Sequence, residues 1–250
     1  AATAIVSGGP GAIFWMWISA FFGMATIFAE AVLAQLFKKE VNGHVTGGPA
    51  YYLRYGLNSK FLSSFFAVTI VLALGFIGNM VQANSIGTAF ESAFHISPLI
   101  VGIVLAIISG FIFVGGVARI ASFTEKIVPI MAGFYIIGGI IILVMMGSST
   151  LDAIRQVFVG AFNPSAVLGG AAGITVKNAI RYGVSRGLFS NEAGMGSTPH
   201  AHAIAKVKNP VEQGNVALIT VFIDTFVVLT LTALVILTAN VGNGTLTGIT

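Results

Sequence analysis

The sequence contains no cysteine, which removes disulfides, thiolate metal sites and cysteine nucleophiles within this chain. It is almost as poor in charge. Asp, Glu, Lys and Arg make up 8% of its 250 residues, against about 25% in an ordinary soluble domain. No basic patch interleaved with aromatic residues occurs, so the net charge of +4 carries no expectation of nucleic-acid binding. Nothing reads as a signal peptide, because no basic stretch and cleavage site open the chain. Ser190 and Ser197 lack His and Asp partners at meaningful spacing, so no enzyme is expected. His200 and His202 beside Pro199 have no third ligand nearby, and no metal site is expected there. The opening Ala1–Ser7 is apolar but too short to span. It reads as the tail of a helix begun elsewhere, and the chain is expected to be a fragment.

What the chain has is apolar length. Hydrophobic residues make up 56% of it, and the mean hydropathy is +0.96. About 20 apolar residues suffice to cross a bilayer as a helix. Such runs extend from Ala12 to Phe37, Phe61 to about Phe90, Leu99 to about Val117, Ile127 to Met146, and Val216 to about Ala239. The expected class is therefore all-α, a polytopic membrane bundle. Between Ser148 and Pro164, Leu151, Ile154 and Phe158 recur at helical spacing among Asp152, Arg155 and Gln156. That pattern predicts a helix on the membrane surface or capping the bundle. Lys38, Lys39, Arg54, Lys60, Arg119, Lys126, Lys206 and Lys208 fall on one side if the spans alternate, with Arg155 alone on the other. The asymmetry makes the 38–60 loop cytoplasmic, and the alternation requires a further crossing between Pro164 and Ala205.

That crossing has no uninterrupted apolar stretch to make it. From Ala166 to Ala205 the chain carries seven glycines, with Lys177, Arg181, Arg186 and Glu192. A discontinuous helix resolves the conflict, because backbone freed by an unwound stretch can line a polar cavity but cannot face lipid. Helix ends exposed in such a cavity attract carboxylates and cations, and a Gly-interrupted apolar segment points to a transporter's binding site. Gly183, Gly187, Gly194 and Gly196 are expected as hinges, with Phe189, Ser190 and Asn191 between them. A loop without a binding role, whose Arg181, Arg186 and Glu192 pair with one another, is the plainer alternative.

Other polar residues stand inside spans. Asn79 and Gln82, three apart, share a helix face. Their amides suit an ammonium or a carboxylate, and equally suit helix–helix hydrogen bonds. Glu30 reads as a structural or gating pair near the interface. Asp224, with Thr220 and Thr225 nearby, could hold Na+ or carry a proton, or serve structure alone. Trp15 and Trp17 fit an interfacial belt.

The run GGPGAIFWMWISAFFGMATIFAEAVLA, Gly8 to Ala34, closely resembles the signature of the sodium:alanine symporter family, also called the alanine-or-glycine:cation symporters. GGPAYYL from Gly47, GNMVQANS from Gly78 and AIRYGVSRGLFSNEAGMGSTPHAHA from Ala179 match the same pattern in the same order. The resemblance implies uptake of alanine or glycine driven by Na+, or by H+ in some members, in a bacterial or archaeal cell membrane. It implies membership of the amino acid–polyamine–organocation superfamily and a leucine-transporter-like inverted repeat whose first and sixth helices are unwound around substrate. In that register Ala1–Ser7 is the outer half of helix 1, Ala12–Phe37 is helix 2, Gln82 lies on helix 3, the broken segment is helix 6 and the last span helix 7. The chain is then one incomplete transmembrane domain. First-repeat helices occupy about 1–146, a linker or surface helix 147–164, and the start of the second repeat 165–250. The break of helix 1 and the helices expected after Thr250 are not in it.

The expected substrate site comprises Gln82, Asn79, Gly187, Phe189, Ser190 and Asn191, with Phe189 packing on a small side chain. The expected cation site comprises Ser190, Asn191, Thr220 and Asp224. No cofactor is expected beyond Na+ as the coupling ion. The partners are a small neutral amino acid, Na+ or H+, and lipid. A channel, or a structural subunit of a membrane complex, is the alternative from another class.

Overall fold

The computed structural model describes residues 1–41, 43–163 and 176–241. Those residues are almost entirely helical. Helix α1, Ala2–Gly8, ends at Gly9, whose φ of 74° lets the chain turn where a side chain would resist. Helix α2, Ala12–Leu36, follows and carries a buried stripe of mostly small residues, including Ala12, Met16, Ser19, Gly23, Ile27 and Ala31. The polar connection after it is an antiparallel hairpin, Lys39–Val41 (β1) with His44–Thr46 (β2), paired Glu40 to Val45. A short helix α3, Pro49–Tyr55, completes it, with Pro at its first turn, where the missing N–H costs nothing.

Helix α4, Lys60–Ile70, passes into a π-helical stretch, Val71–Gly78, and on into α5, Asn79–Phe94. Helices α6, Pro98–Val114, and α7, Gly116–Met146, follow, then α8, Ser148–Phe162. Helix α9 spans Val176–Asn191 and the short α10 Pro199–Ile204. Helix α11, Pro210–Phe222, is capped by Asn209, whose side chain accepts from the Val211 N–H. It continues through a second π segment, Ile223–Leu229, into α12, Thr230–Val241.

Among the described residues, four stretches are long and apolar enough to cross a membrane: Ala12–Leu36, Lys60–Phe94, Arg119–Met146 and Pro210–Ala239. Helix α6 is apolar but shorter. The chain is thus a multi-pass membrane protein by length and composition. It falls into two compact units, one of residues 1–63 with 136–250, the other of residues 64–135. In the second unit, Gly87 of α5 lets Pro98 of α6 approach, since a Cβ there would lie 3.1 Å from the proline Cβ.

The core of the first unit has two parts. In one, Ala4, Ile5, Ile13 and Met16 pack with Ala153, Val157, Leu229, Ala233 and Leu237. In the other, Ala20, Ile27 and Ala31 of α2 meet Ala193, Ala217 and Val221. Small residues dominate because helices that bury no face from water must gain their affinity from close approach.

The structure gives three of these groups their surroundings. On α8, Leu151, Ile154 and Phe158 are exposed, while Ala153, Val157, Gly160 and Ala161 are buried. Gly11 rests directly on the Gly160 backbone, which only a small-residue face permits. Trp15 and Trp17 spend their indole N–H groups inside the protein, on the Ala161 carbonyl at 3.1 Å and the Thr230 hydroxyl at 2.8 Å. Glu30 does not pair with Lys38. That lysine donates to Gln35 Oε1 at 2.6 Å and to the Ala205 carbonyl, beside Gln35 amide bonds to the same turn. The two side chains together cap the end of α10, where carbonyls lack helical partners.

Candidate functional site

The break expected within residues 166–205 begins outside the described residues, at Ala166, and the described part resolves it sharply. Helix α9 runs unbroken through Gly183 and Gly187, so these two are not hinges. They are sites of close packing on α2: a Cβ at Gly183 would lie 2.6 Å from the Ala12 carbonyl oxygen and from Trp15 Cβ, and one at Gly187 would strike Ser19 Oγ. Among the described residues of this segment the interruption spans 192–198, between α9 and α10. Three residues there take left-handed backbone, Glu192 (φ 56°), Gly194 (φ 86°) and Gly196 (φ 77°). Gly194 and Gly196 therefore lie in the interruption, and Gly183 and Gly187 do not.

The last turn of α9 faces the π segment of the final span. Ser190 Oγ donates to Asp224 Oδ2 at 3.0 Å, and Asn191 Nδ2 donates to Thr225 Oγ1 at 3.3 Å. Asn191 Oδ1 turns back to accept from the Ala193 N–H at 3.1 Å, closing the helix end with a side chain. Thr225 Oγ1 also lies 3.4 Å from Asp224 Oδ2. The bonds to the Asp224 carboxylate thus come from hydroxyls and not from a cationic side chain.

The π geometry explains how Asp224 and Thr225 are presented. In such a turn the backbone bond reaches five residues rather than four. The Thr230 hydroxyl donates to the Thr225 carbonyl five residues back, at 3.2 Å, and Trp17 in turn donates to Thr230. Helix α2 therefore fixes the widened turn that carries the carboxylate.

The expected residues divide accordingly. Ser190, Asn191 and Asp224 are brought together. Thr220, one turn before Asp224, is exposed, with its hydroxyl on the Val216 carbonyl at 2.9 Å. Phe189 is exposed at the end of α9, and Gly187 is buried against α2. Asn79 and Gln82 lie in the other unit, on the exposed side of α5, where Asn79 Nδ2 donates to the Gly75 carbonyl at 3.2 Å. Arg181 stands over the Tyr182 ring, and Glu192 accepts from Ser197, so neither needs the other.

Sequence reasoning named two groups without their partners. Glu30 Oε2 accepts from the Gly194 N–H at 3.1 Å, inside the break. Thr225 was visible only as a neighbour of Asp224, although a buried hydroxyl four residues after Val221 continues that helix's inner stripe. Beside the break, between α2 and α9, lies an apolar groove of about 510 Å3, lined by Trp15, Phe22, Gly23, Thr26, Leu188 and Gly194. Outside the spans, burial holds the His202 imidazole below its ordinary value, with the Gln213 amide 2.7 Å from Nδ1. Burial and the Glu30 charge push the Tyr52 phenol above its own.

The profile of the sodium:alanine symporter family matches residues 1–250. The chain is 48% identical to the sodium/alanine symporter AgcS of Methanococcus maripaludis, over 94% of this chain and 52% of that protein. It is 43% identical to the amino-acid carrier protein AlsT of Bacillus subtilis, over 94% of this chain and 50% of that one. The probable sodium/glutamine symporter GlnT of the same organism is 46% identical, over 94% of this chain and 48% of GlnT. The chain spans about half the length of the curated relatives it matches.

Proposed function

The chain belongs to the sodium:alanine symporter family, and we propose that it is the part of a Na+-coupled symporter that holds one wall of the site for a small neutral amino acid. The observation that carries this reading is the Ser190–Asp224 pair at the end of α9, an oxygen cluster at membrane depth that no basic side chain of this network neutralises. A carboxylate placed so in a membrane serves a coupling ion or a proton by default. The negative end of a helix dipole beside it favours a cation further.

On this reading Na+ is cargo, with Ser190, Asn191 and Asp224 as oxygen donors and Thr220 as an outer contributor. The amino acid lies against Phe189 and the Gly187–Asn191 backbone, and Asn79 and Gln82 are proposed as further substrate-binding residues. Alanine or glycine is the substrate on this reading, with Phe189 packing on its small side chain. A single methylene is worth only about 1–3 kcal/mol of discrimination, so larger side chains must be rejected by direct clash. The bundle is read as part of a leucine-transporter-like inverted repeat, with the second repeat opening near residue 165, in a bacterial or archaeal cell membrane with the 38–60 loop cytoplasmic. Na+ binding would stabilise the substrate-ready state, so that its gradient biases an alternating-access cycle.

Uptake of labelled alanine, glycine and larger neutral amino acids by the full-length carrier, with and without a Na+ gradient, tests this. Saturable uptake that requires Na+ and falls away with side-chain size is expected. Non-saturating flux without Na+ coupling would favour a channel and sink the proposal.

A further inference from the structure

Gly23, Thr26 and Glu30 of α2 follow one another at steps of three and four and so share a helix face. The break between α9 and α10 lies along that face residue by residue. A Cβ at Gly23 would stand 3.0 Å from Ala193 Cβ, and one at Gly194 would stand 3.4 Å from Thr26 Cγ2. At the end of the row the Gly194 N–H donates to Glu30 Oε2 at 3.1 Å. Gly194 and Gly196, both with left-handed backbone, flank Met195. Left-handed residues placed in this way turn successive N–H groups into one concavity, a shape that receives an anion.

An unwound stretch at membrane depth must satisfy its freed N–H groups internally. Here Asn191 Oδ1 takes the Ala193 N–H and Glu30 takes the next. Among the described residues the carboxylate's hydrogen bond is to the backbone of the break. Charge-assisted bonds of this kind are about twice as strong as neutral ones. Glu30 is therefore tied, at Gly194, to the stretch that follows the end of α9.

We propose that Glu30 is a positioning residue of the transport cycle, whose carboxylate anchors the Glu192–Thr198 break to α2 and so presents Ser190 and Asn191 to Asp224 and Thr225. This rests on the symport reading above for its role in the cycle, but the anchor itself does not. Helix α2 then acts as a rail. Its first half is locked to α9 by Gly183 and Gly187, and its second half holds the break by one exchangeable hydrogen-bonded group.

The test uses the full-length carrier in proteoliposomes with Met195→Cys as reporter, combined with Glu30→Ala or Glu30→Gln. Alkylation by a maleimide is followed on the tryptic peptide 187–206, without amino acid or Na+, and uptake is measured alongside. Loss of a hydrogen bond to a charged group is expected to speed alkylation about tenfold in Glu30→Ala. Glu30→Gln, which keeps an acceptor oxygen but no charge, should fall between Glu30→Ala and the parent. The Na+ concentration for half-maximal uptake should rise in the same order. If Glu30→Ala does not reach the membrane, Glu30→Gln decides. Reactivity within about twofold of the parent in every variant recovered overturns the anchor. A parent that shows no Na+-driven uptake would instead overturn the symport reading, and the labelling arm would still judge the anchor.

Discussion

The Ser190 hydroxyl meets the Asp224 carboxylate at 3.0 Å across 34 residues of chain, joining the end of one helix to the widened turn of another. Neither residue is placed by its own helix alone. Asn191 and Thr225 make a second tie one residue further along each element, so the pair is held in register on both sides.

Removing the hydroxyl should therefore weaken ion binding without unfolding the contact. A hydrogen bond to a charged group contributes about 1.5–3 kcal/mol. Ser190→Ala is expected to raise the Na+ concentration for half-maximal uptake about tenfold, and Asp224→Asn to raise it further. Na+-activation curves for labelled-alanine uptake check both, and unchanged curves would remove this pair from the cation site.

The amino-acid wall is probed separately. Gln82→Ala and Phe189→Ala are each expected to raise the substrate KM, and Phe189→Ala should also admit larger neutral side chains. Unaltered affinity in both variants would remove these residues from the pocket.

Two glycines should respond oppositely to the same change. Gly183→Ala places a Cβ 2.6 Å from an α2 carbonyl oxygen, and overpacking of this kind costs about 1–3 kcal/mol. Gly102→Ala on α6 meets nothing within 4 Å, and gains helix propensity of up to about 1 kcal/mol. Thermal unfolding of the detergent-solubilised carrier should fall for the first and hold or rise for the second.

His202 gives the first unit a pH dependence of predictable sign. Burial lowers its folded-state pKa from the ordinary 6.5, so between the two values the unfolded chain binds more protons. Stability must then be full above about 6.5 and decline as pH falls toward the folded value. Protonation at Nδ1 would also oppose the Gln213 amide that stands 2.7 Å away. His202→Gln should flatten melting temperature against pH between 5 and 7 (a window of about two units around the ordinary value). A slope that persists in the variant would assign the effect elsewhere.

Composition alone carried the membrane class, and hydropathy placed α2 to within a residue, because lipid imposes length and apolarity directly on a span. The glycine-rich segment was legible as a break, but not where the break falls. Four glycines at similar spacing look alike in sequence, yet Gly183 and Gly187 answer to the side chains of α2 and only Gly194 and Gly196 answer to backbone conformation. On α8 the apolar period at Leu151, Ile154 and Phe158 announced the helix, while the face that packs is the small-residue one, with Ala153, Val157, Gly160 and Ala161. Glu30 was visible as a lone carboxylate. Its partner is a backbone amide more than 160 residues away, and amides carry no sequence signal.

The final span holds one consequence in its angular phase. Its inner positions are Gln213, Ala217, Val221, Thr225, Leu229, Ala233 and Leu237, each four residues after the last. An α-helix turns about 100° per residue, so a four-residue step overshoots a full turn by about 40°, and a stripe drawn this way drifts around a straight helix. The π stretch from Ile223 to Leu229 takes in more residues per turn and resets that drift halfway along. Val221 can then face one part of the core and Leu237 the other, with Asp224 at the point of reset. Losing a single residue there would swing everything beyond Thr230 by about 100°, unhooking Trp17 and the carboxylate in one step while leaving every hydropathy profile unchanged.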